Sequence, residues 1–369
     1  MKTLPEKEYN LSIFCDKRGN CMKITVLGGG LSPERDVSLK SASLIANALL
    51  SKGHEVALVD LYDGIETNYP CETYFRRGTV NPFSYTIPET EPDLDEIIRQ
   101  HGGRKSWVGP RVIEMCKFAD KVFLGLHGSH GENGQVQALL DAFDIEYTGC
   151  DYLGCAIAMD KDLSKALARA AGYNTADWIV DDPEKLTFER VNAELGIPCV
   201  VKPIGNGSSC GVSIVKSQDE FEAAIRYAAS YHQKILIEKF IKAREITISI
   251  VNDKALPITE IIPHEGFYDY KNKYQDGLTT HVCPAQIEEE DYRKGQKMAL
   301  KIFKLLRMTQ YGRVDMMYDD VNHEFWFIEA NNLPGMTNAS LLPEAAKAAG
   351  TSYEDLVESL IMEIHREEY

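Results

Sequence analysis

Residues 201–213 read VKPIGNGSSCGVS. Apolar residues lead into this stretch through Val200 and Val201 and resume at Val212, so it reads as a turn between two strands. Its glycines and serines could line backbone N–H groups and hydroxyls against phosphate oxygens. An ordinary hairpin turn, with no ligand, fits the same residues. The stretch is not a G-x-x-x-x-G-K-[ST] loop, because Lys202 precedes the glycines. Taken alone, the segment leaves both readings open.

Towards the N-terminus, residues 23–27 read as a buried strand that ends in the turn Gly28-Gly29-Gly30. Ser32-Pro33-Glu34-Arg35 opens a helix, with Val37, Leu44, Ile45 and Leu49 near helical spacing and Gly53 as its stop. Strands at 54–61 and 121–126 and a helix at 134–143 complete a β/α alternation, which predicts a parallel sheet. Residues 64–108 interrupt it as a long polar excursion. Towards the C-terminus, a helix at 161–171 stops at Gly172. Strands follow at 199–202, 212–215, 235–238 and 246–251, with a helix at 219–230. The short separation of the last two strands predicts that they pair antiparallel. A polar loop at 266–278, a helix at 289–306, strands at 312–318 and 324–330, a loop at 331–343 and a helix at 353–365 close the chain.

Composition narrows the partners. A net charge of −16 over 369 residues offers no general excess of cations for nucleic acid or an anionic membrane. No run of about 18 apolar residues occurs, and residues 1–21 lack the apolar core of a signal peptide. The nine cysteines are scattered, with no C-x-x-C pair at zinc spacing. A soluble, cytoplasmic protein with reduced thiols is expected. There is no G-x-S-x-G elbow, and Pro33 breaks any G-x-G-x-x-G match at Gly28.

Several residues could carry chemistry. Strand alternation places Arg313 with Asp315, and Glu329 with Asn331, on shared faces of two strands joined at 319–323. Two carboxylates and an amide oxygen suit Mg²⁺ held with phosphates, although a solvated acidic face would look the same. Lys161, Lys202 and Lys273 sit where either solvent or phosphate could meet them. His127 follows an apolar strand, and a structural histidine is the simpler reading. Phe267-Tyr268-Asp269-Tyr270 is too polar for a core and could stack on a ring.

Taken in order, the segments LGGGLSPERDVSLKSA (27–42), LHGSHGENGQVQ (126–137), YTGCD and AMDKDLSK (147–165), VKPIGNGSSCGVS, FYDYKNKY (267–274), CPA (283–285), GRVD (312–315) and EANNLPGMTNASLLP (329–343) resemble the D-alanine–D-alanine ligases of the ATP-grasp superfamily. The resemblance implies an α/β (α+β) ATP-grasp fold. It would comprise an extension at 1–21, a Rossmann-like α/β domain at 22–150, a central domain at 151–235 and a C-terminal domain at 236–369. It further implies ATP as a substrate with two Mg²⁺ or Mn²⁺ ions, joining of two D-alanine molecules through an acyl phosphate for peptidoglycan synthesis, and a homodimer.

By the same resemblance, Asp315, Glu329 and Asn331 are metal ligands, and Lys161, Lys202 and Lys273 contact phosphates. Glu238, Phe240, Ile241, Glu245 and Phe267 surround the rest of ATP. Arg313 and the Gly335 N–H stabilise the reacting centre. Glu34 anchors the first ammonium group, and His127 lies beside it. Ser340 and Leu341 form the second amino-acid pocket. Ser208 and Tyr274, linked to Glu34, join the glycine loop to the polar loop. Asn206, Cys210 and Asn332 depart from the family pattern. D-Serine or D-lactate ligases, another dipeptide ligase and a nucleotide sensor are the competing readings. The F-Y-D-Y…K-Y loop and the small Leu341 pocket favour D-alanine.

Overall fold

The computed structural model describes residues 21–88, 90–205, 207, 209–264 and 277–364, arranged around three sheets. The first consists of β1 (Lys23–Gly28), β2 (Glu55–Asp60) and β3 (Lys121–Leu124), all parallel in the order β2-β1-β3. Ile24, Val26, Leu27, Val56 and Val122 are buried on both faces, which is why these strands read as continuous apolar runs. The helix α1 (Arg35–Ser51) covers the sheet, and Gly28 permits its close approach: a Cβ there would lie 2.6 Å from Cβ of Ala42. Because β1 sits between its two successors, a crevice opens at the carboxyl ends of β1 and β3.

The excursion holds α2 (Leu94–Gln100), and α3 (Val112–Phe118) returns the chain to β3. Beyond β3 come α4 (Ser129–Glu132), α5 (Gln135–Asp141), α6 (Tyr152–Met159) and α7 (Lys161–Ala170). The second sheet is antiparallel, with order β4-β7-β5-β6: β4 (Trp178–Asp181), β5 (Cys199–Pro203), β6 (Ser213–Val215) and β7 (Ile235–Lys239). The glycine-rich stretch therefore does close a hairpin, between β5 and β6. The helices α8 (Phe188–Glu194) and α9 (Gln218–Ala229) complete this unit, α9 burying Phe221, Ala224, Ile225 and Ala228.

The third sheet runs β11-β10-β8-β12-β13, with β9 (Lys254–Ala255) paired on β8. Its members are β8 (Arg244–Val251), β10 (Thr259–Pro263), β11 (Thr279–Val282), β12 (Tyr311–Asp319) and β13 (Glu324–Asn331). Ala299, Ile302 and Phe303 of α10 (Glu289–Leu305) share a core with Ile246, Ile248 and Ile250 of β8. Cys155 and Ala158 of α6 and Ala168 of α7 belong to that same core.

The expected pairing of 235–238 with 246–251 is not formed. Strand β7 pairs with β4 and β5, whereas β8 pairs with β10 and β12, so the chain changes sheets across residues 240–243. A short link between two apolar strands normally closes a hairpin; here each strand finds better partners far away in sequence. The expected loop at 331–343 also ends early, because α11 (Leu341–Ala348) begins at Leu341. The final helix, α12 (Tyr353–Met362), buries Leu356, Val357, Leu360 and Ile361 in the core of the first sheet, and Lys52 pairs with Glu358 at 3.0 Å. Among the described residues no helix is long and apolar enough to cross a membrane.

Candidate functional site

One wall of the site comes from the crevice of the first sheet. Glu34 stands immediately before α1 and His127 three residues beyond β3, and both are buried. The Ser32 hydroxyl donates to the His127 carbonyl at 2.8 Å, tying the two loops together. Gly128 has φ +68°, and a Cβ there would lie 2.6 Å from Oε2 of Glu34. Glycine at that position thus leaves room for the carboxylate. The His127 ring is fixed at both nitrogens: Nε2 lies 3.0 Å from the Ser41 hydroxyl and Nδ1 lies 3.2 Å from the Leu333 carbonyl. Burial lowers its pKa, with the Glu34 charge opposing. Glu132, on α4, is also buried, and burial followed by the charge of Glu34 pushes its carboxyl up to about 8.

A second wall is the β12–β13 hairpin. Its register sets Arg313 opposite Asn331 and Asp315 opposite Glu329, so the alternation read from sequence brings all four together. The Arg313 guanidinium grips Asp315 through two contacts, Nε to Oδ1 at 2.8 Å and Nη2 to Oδ2 at 2.9 Å. Thr247 donates to the same carboxylate at 2.5 Å. Lys161 Nζ lies 3.2 Å from Oε2 of Glu329. Oδ1 of Asn331 is buried and has no hydrogen-bond partner among the described residues.

The third element lies between the two antiparallel sheets. Glu238 on β7 is held by Lys202 Nζ at 2.5 Å and by Lys165 Nζ at 2.7 Å. Burial alone would raise Glu238, but the two lysines together bring it below the usual carboxylate value. Lys165 is lowered by burial, against the pull of Glu238, and it also donates to the Thr175 hydroxyl at 2.7 Å. Ser209 and Gly211 in the glycine turn have φ of 58° and 78°. A Cβ on Gly211 would lie 2.9 Å from the Tyr231 ring, so glycine is required there on two counts.

Two cavities result. The larger, about 960 Å³, is lined by Glu34, His127, Arg313, Asn331, Gly335, Ser340 and Leu341 among others. The smaller, about 450 Å³, lies between the sheets and is lined by Lys202, Glu238, Phe240, Ile241, Glu245 and Asp315 with apolar neighbours. Lys161 and Glu329 border both, which makes them the junction. Every described candidate residue lines one cavity or the other. Ser208, Phe267, Lys273 and Tyr274 lie outside the described residues.

Sequence reasoning missed three members. Lys165 sits four residues after Lys161, on the same helix face, and that spacing was the available signal. Glu132 lay within the quoted Gly-Glu-Asn-Gly run without a role. Asn332, noted only as a departure, is buried and donates to the Glu132 carbonyl at 2.9 Å, joining the hairpin to α4.

Comparison with known proteins agrees with this arrangement. The family model described as D-ala D-ala ligase N-terminus matches residues 23–150, and that described as D-ala D-ala ligase C-terminus matches 167–362. A D-alanine–D-alanine ligase of Pediococcus pentosaceus is 41% identical, covering 92% of this chain and 97% of its own. One of Lacticaseibacillus casei is 36% identical, over 92% and 95%. Among solved structures, the D-alanine–D-alanine ligase of Bacillus anthracis complexed with ATP superposes with a TM-score of 0.70 at 33% identity, covering 93% of this chain and 96% of that one. VanG D-Ala:D-Ser ligase of Enterococcus faecalis gives a TM-score of 0.70 at 27% identity, over 93% and 99%. With both of its halves matched in order, this chain belongs to the D-alanine–D-alanine ligase family and has its ATP-grasp fold.

Proposed function

We propose that this protein joins two D-alanine molecules at the expense of ATP, and that the observation carrying this reading is the meeting of the two cavities at Lys161 and Glu329. The apolar slot between the sheets suits an adenine ring, with Phe240 and Ile241 at the link between sheets. Its polar end, at Lys161 and Lys202, suits phosphates. The larger cavity takes the amino acids. The carboxylate of the first D-alanine attacks the γ-phosphorus, giving an acyl phosphate and ADP. The amine of the second then attacks the acyl carbon, and inorganic phosphate leaves.

Each residue has a physical task in that sequence. Glu34 presents negative charge to the first ammonium group, and burial beside that charge favours the protonated form of Glu132 behind it. Arg313 and the Gly335 N–H face charge that develops at the reacting carboxyl and tetrahedral carbon. Ser340 and Leu341 receive the second amino acid. Lys202 and the glycine turn lie over the phosphates, with Ser208, Tyr274, Phe267 and Lys273 assigned as in the sequence reading.

The donor set also fits a divalent cation. Asp315 and Glu329 are cross-strand neighbours, and the buried Asn331 Oδ1 has no partner among the described residues. All three are hard oxygen donors, and among the described residues Arg313 contacts Asp315 and Lys161 contacts Glu329. When bound, Mg²⁺ or Mn²⁺ would neutralise phosphate charge at the junction. We further infer a cytoplasmic homodimer and divisions at 22–150, 151–239 and 240–369, the last boundary moving from the expected 235/236 to after Lys239 because β7 pairs in the second sheet. The test is ADP release and dipeptide formation with D-alanine, compared with D-serine, D-lactate and L-amino acids. Release with L-amino acids alone would replace this reading with another carboxylate–amine ligase.

A further inference from the structure

The wall of the larger cavity facing Ser340 and Leu341 is β11, a strand that the sequence did not reveal. Its alternate residues Thr279 and His281, and Cys283 just beyond it, line the cavity, as the two-residue period of a strand requires. On β10, Ile261 is the cross-strand neighbour of His281. On α11, Leu341 and Glu344 are three residues apart and share a face. The two elements dock at two points: buried Ile261 packs against buried Leu341, and His281 Nδ1 lies 2.8 Å from Oε2 of Glu344. Side-chain exposures of 18% and 34% make this a partly sheltered contact at the cavity edge, beyond the reach of bulk screening on one side only.

We propose that the His281–Glu344 pair is a positioning device that fixes the distance between the β11 wall and the Ser340–Leu341 end of α11, and thereby sets the size of the amine substrate accepted. The inference rests on the reading that Ser340 and Leu341 receive the second amino acid. Ile261 and Leu341 give the dock its apolar seat, but two apolar side chains leave rotation about their contact free. The imidazole–carboxylate contact, one strand over on the sheet and three residues on along α11, removes that freedom. The pair lines the larger cavity and not the cleft between the sheets, so its loss should act on the amino-acid end before the nucleotide end.

The experiment compares wild type with Glu344→Leu, His281→Leu, the double variant and Glu344→Gln. It measures the Michaelis constants for ATP and for both D-alanine sites, and the dipeptide ratio from equimolar D-alanine and D-serine. Each leucine variant is expected to raise the second-site constant about tenfold, the loss of one charge-assisted hydrogen bond. The ATP constant should stay within about twofold, and the product ratio should move toward D-serine. The double variant should be no worse than either single, and Glu344→Gln, which keeps an acceptor, should recover most of the effect. An unchanged second-site constant, additive single effects or an equal rise in the ATP constant would overturn the proposal. Glu344→Ala serves in place of any leucine variant that does not fold. A wild type that forms no dipeptide from D-alanine would instead overturn the functional reading beneath it.

Discussion

Glu238 offers the sharpest test of how the nucleotide cleft is held together. Its carboxylate is shared by two ammonium groups at 2.5 and 2.7 Å, and the lysine side chains are 5% and 0% exposed. Glu238→Gln keeps the shape and one acceptor oxygen but raises the buried charge of the triad from +1 to +2. Breaking a buried pair from one side costs about 3–5 kcal/mol. Because the amide oxygen still accepts from one lysine, the lower end, about 3 kcal/mol, is expected. At neutral pH this should appear as a melting temperature lower by about 5 °C or more. The pH dependence has a fixed sign. The folded carboxyl lies below its unfolded value, so its contribution is present above the unfolded value and is lost as pH falls through the folded one. The gap between wild type and variant should therefore close below about pH 4. Adding Lys202→Met to Glu238→Gln should restore part of the loss, since it removes one unpaired ammonium group. A Gln variant that melts with wild type at pH 7.5 would refute the electrostatic account of the triad.

Three further outcomes follow from the same geometry. Glu329→Gln should lower turnover at least ~100-fold while leaving the melting temperature near wild type; normal turnover would remove Glu329 from the metal and phosphate end. For Glu132, the folded carboxyl is raised to about 8, so its favourable contribution is full below the unfolded carboxyl value and is lost as pH rises through 8. Glu132→Gln should accordingly gain stability relative to wild type between about pH 5 and 9, and a pH-independent difference would show that Glu132 is ionised throughout. Gly211→Ala forces a side chain into positive φ against Tyr231 and should raise the Michaelis constant for ATP with a stability loss of about 1–2 kcal/mol; an unaltered constant would separate the turn from nucleotide binding.

The parts of the site legible in sequence were those set by local period. Arg313, Asp315, Glu329 and Asn331 converge because a two-residue alternation on each strand and a short turn at 319–323 leave few other registers. Glu34 and His127 entered through the family resemblance, since the residues alone offered a helix start and a structural histidine. The sheet change at 240–243 was not, because it depends on Trp178 facing Glu238 and on Val314 facing Ile248, partners distant in sequence. Nor was the seating of Leu356 and Leu360 in the first core: an amphipathic helix records that it has an apolar face but not which sheet receives it. Lys165 and Glu132 were hidden for a related reason. The counter-charge of Lys165 arrives from Glu238 on β7, and Glu132 is set by burial and by the like charge of Glu34 before α1, neither of which is visible until the elements are placed.

The most direct measurement is the product formed by the purified protein with ATP, Mg²⁺ and D-alanine, followed as ADP release and as dipeptide by chromatography. The account predicts one ADP and one phosphate per D-alanyl-D-alanine, with no ADP when D-alanine is left out. ADP release that ignores D-alanine but responds to L-amino acids would contradict it.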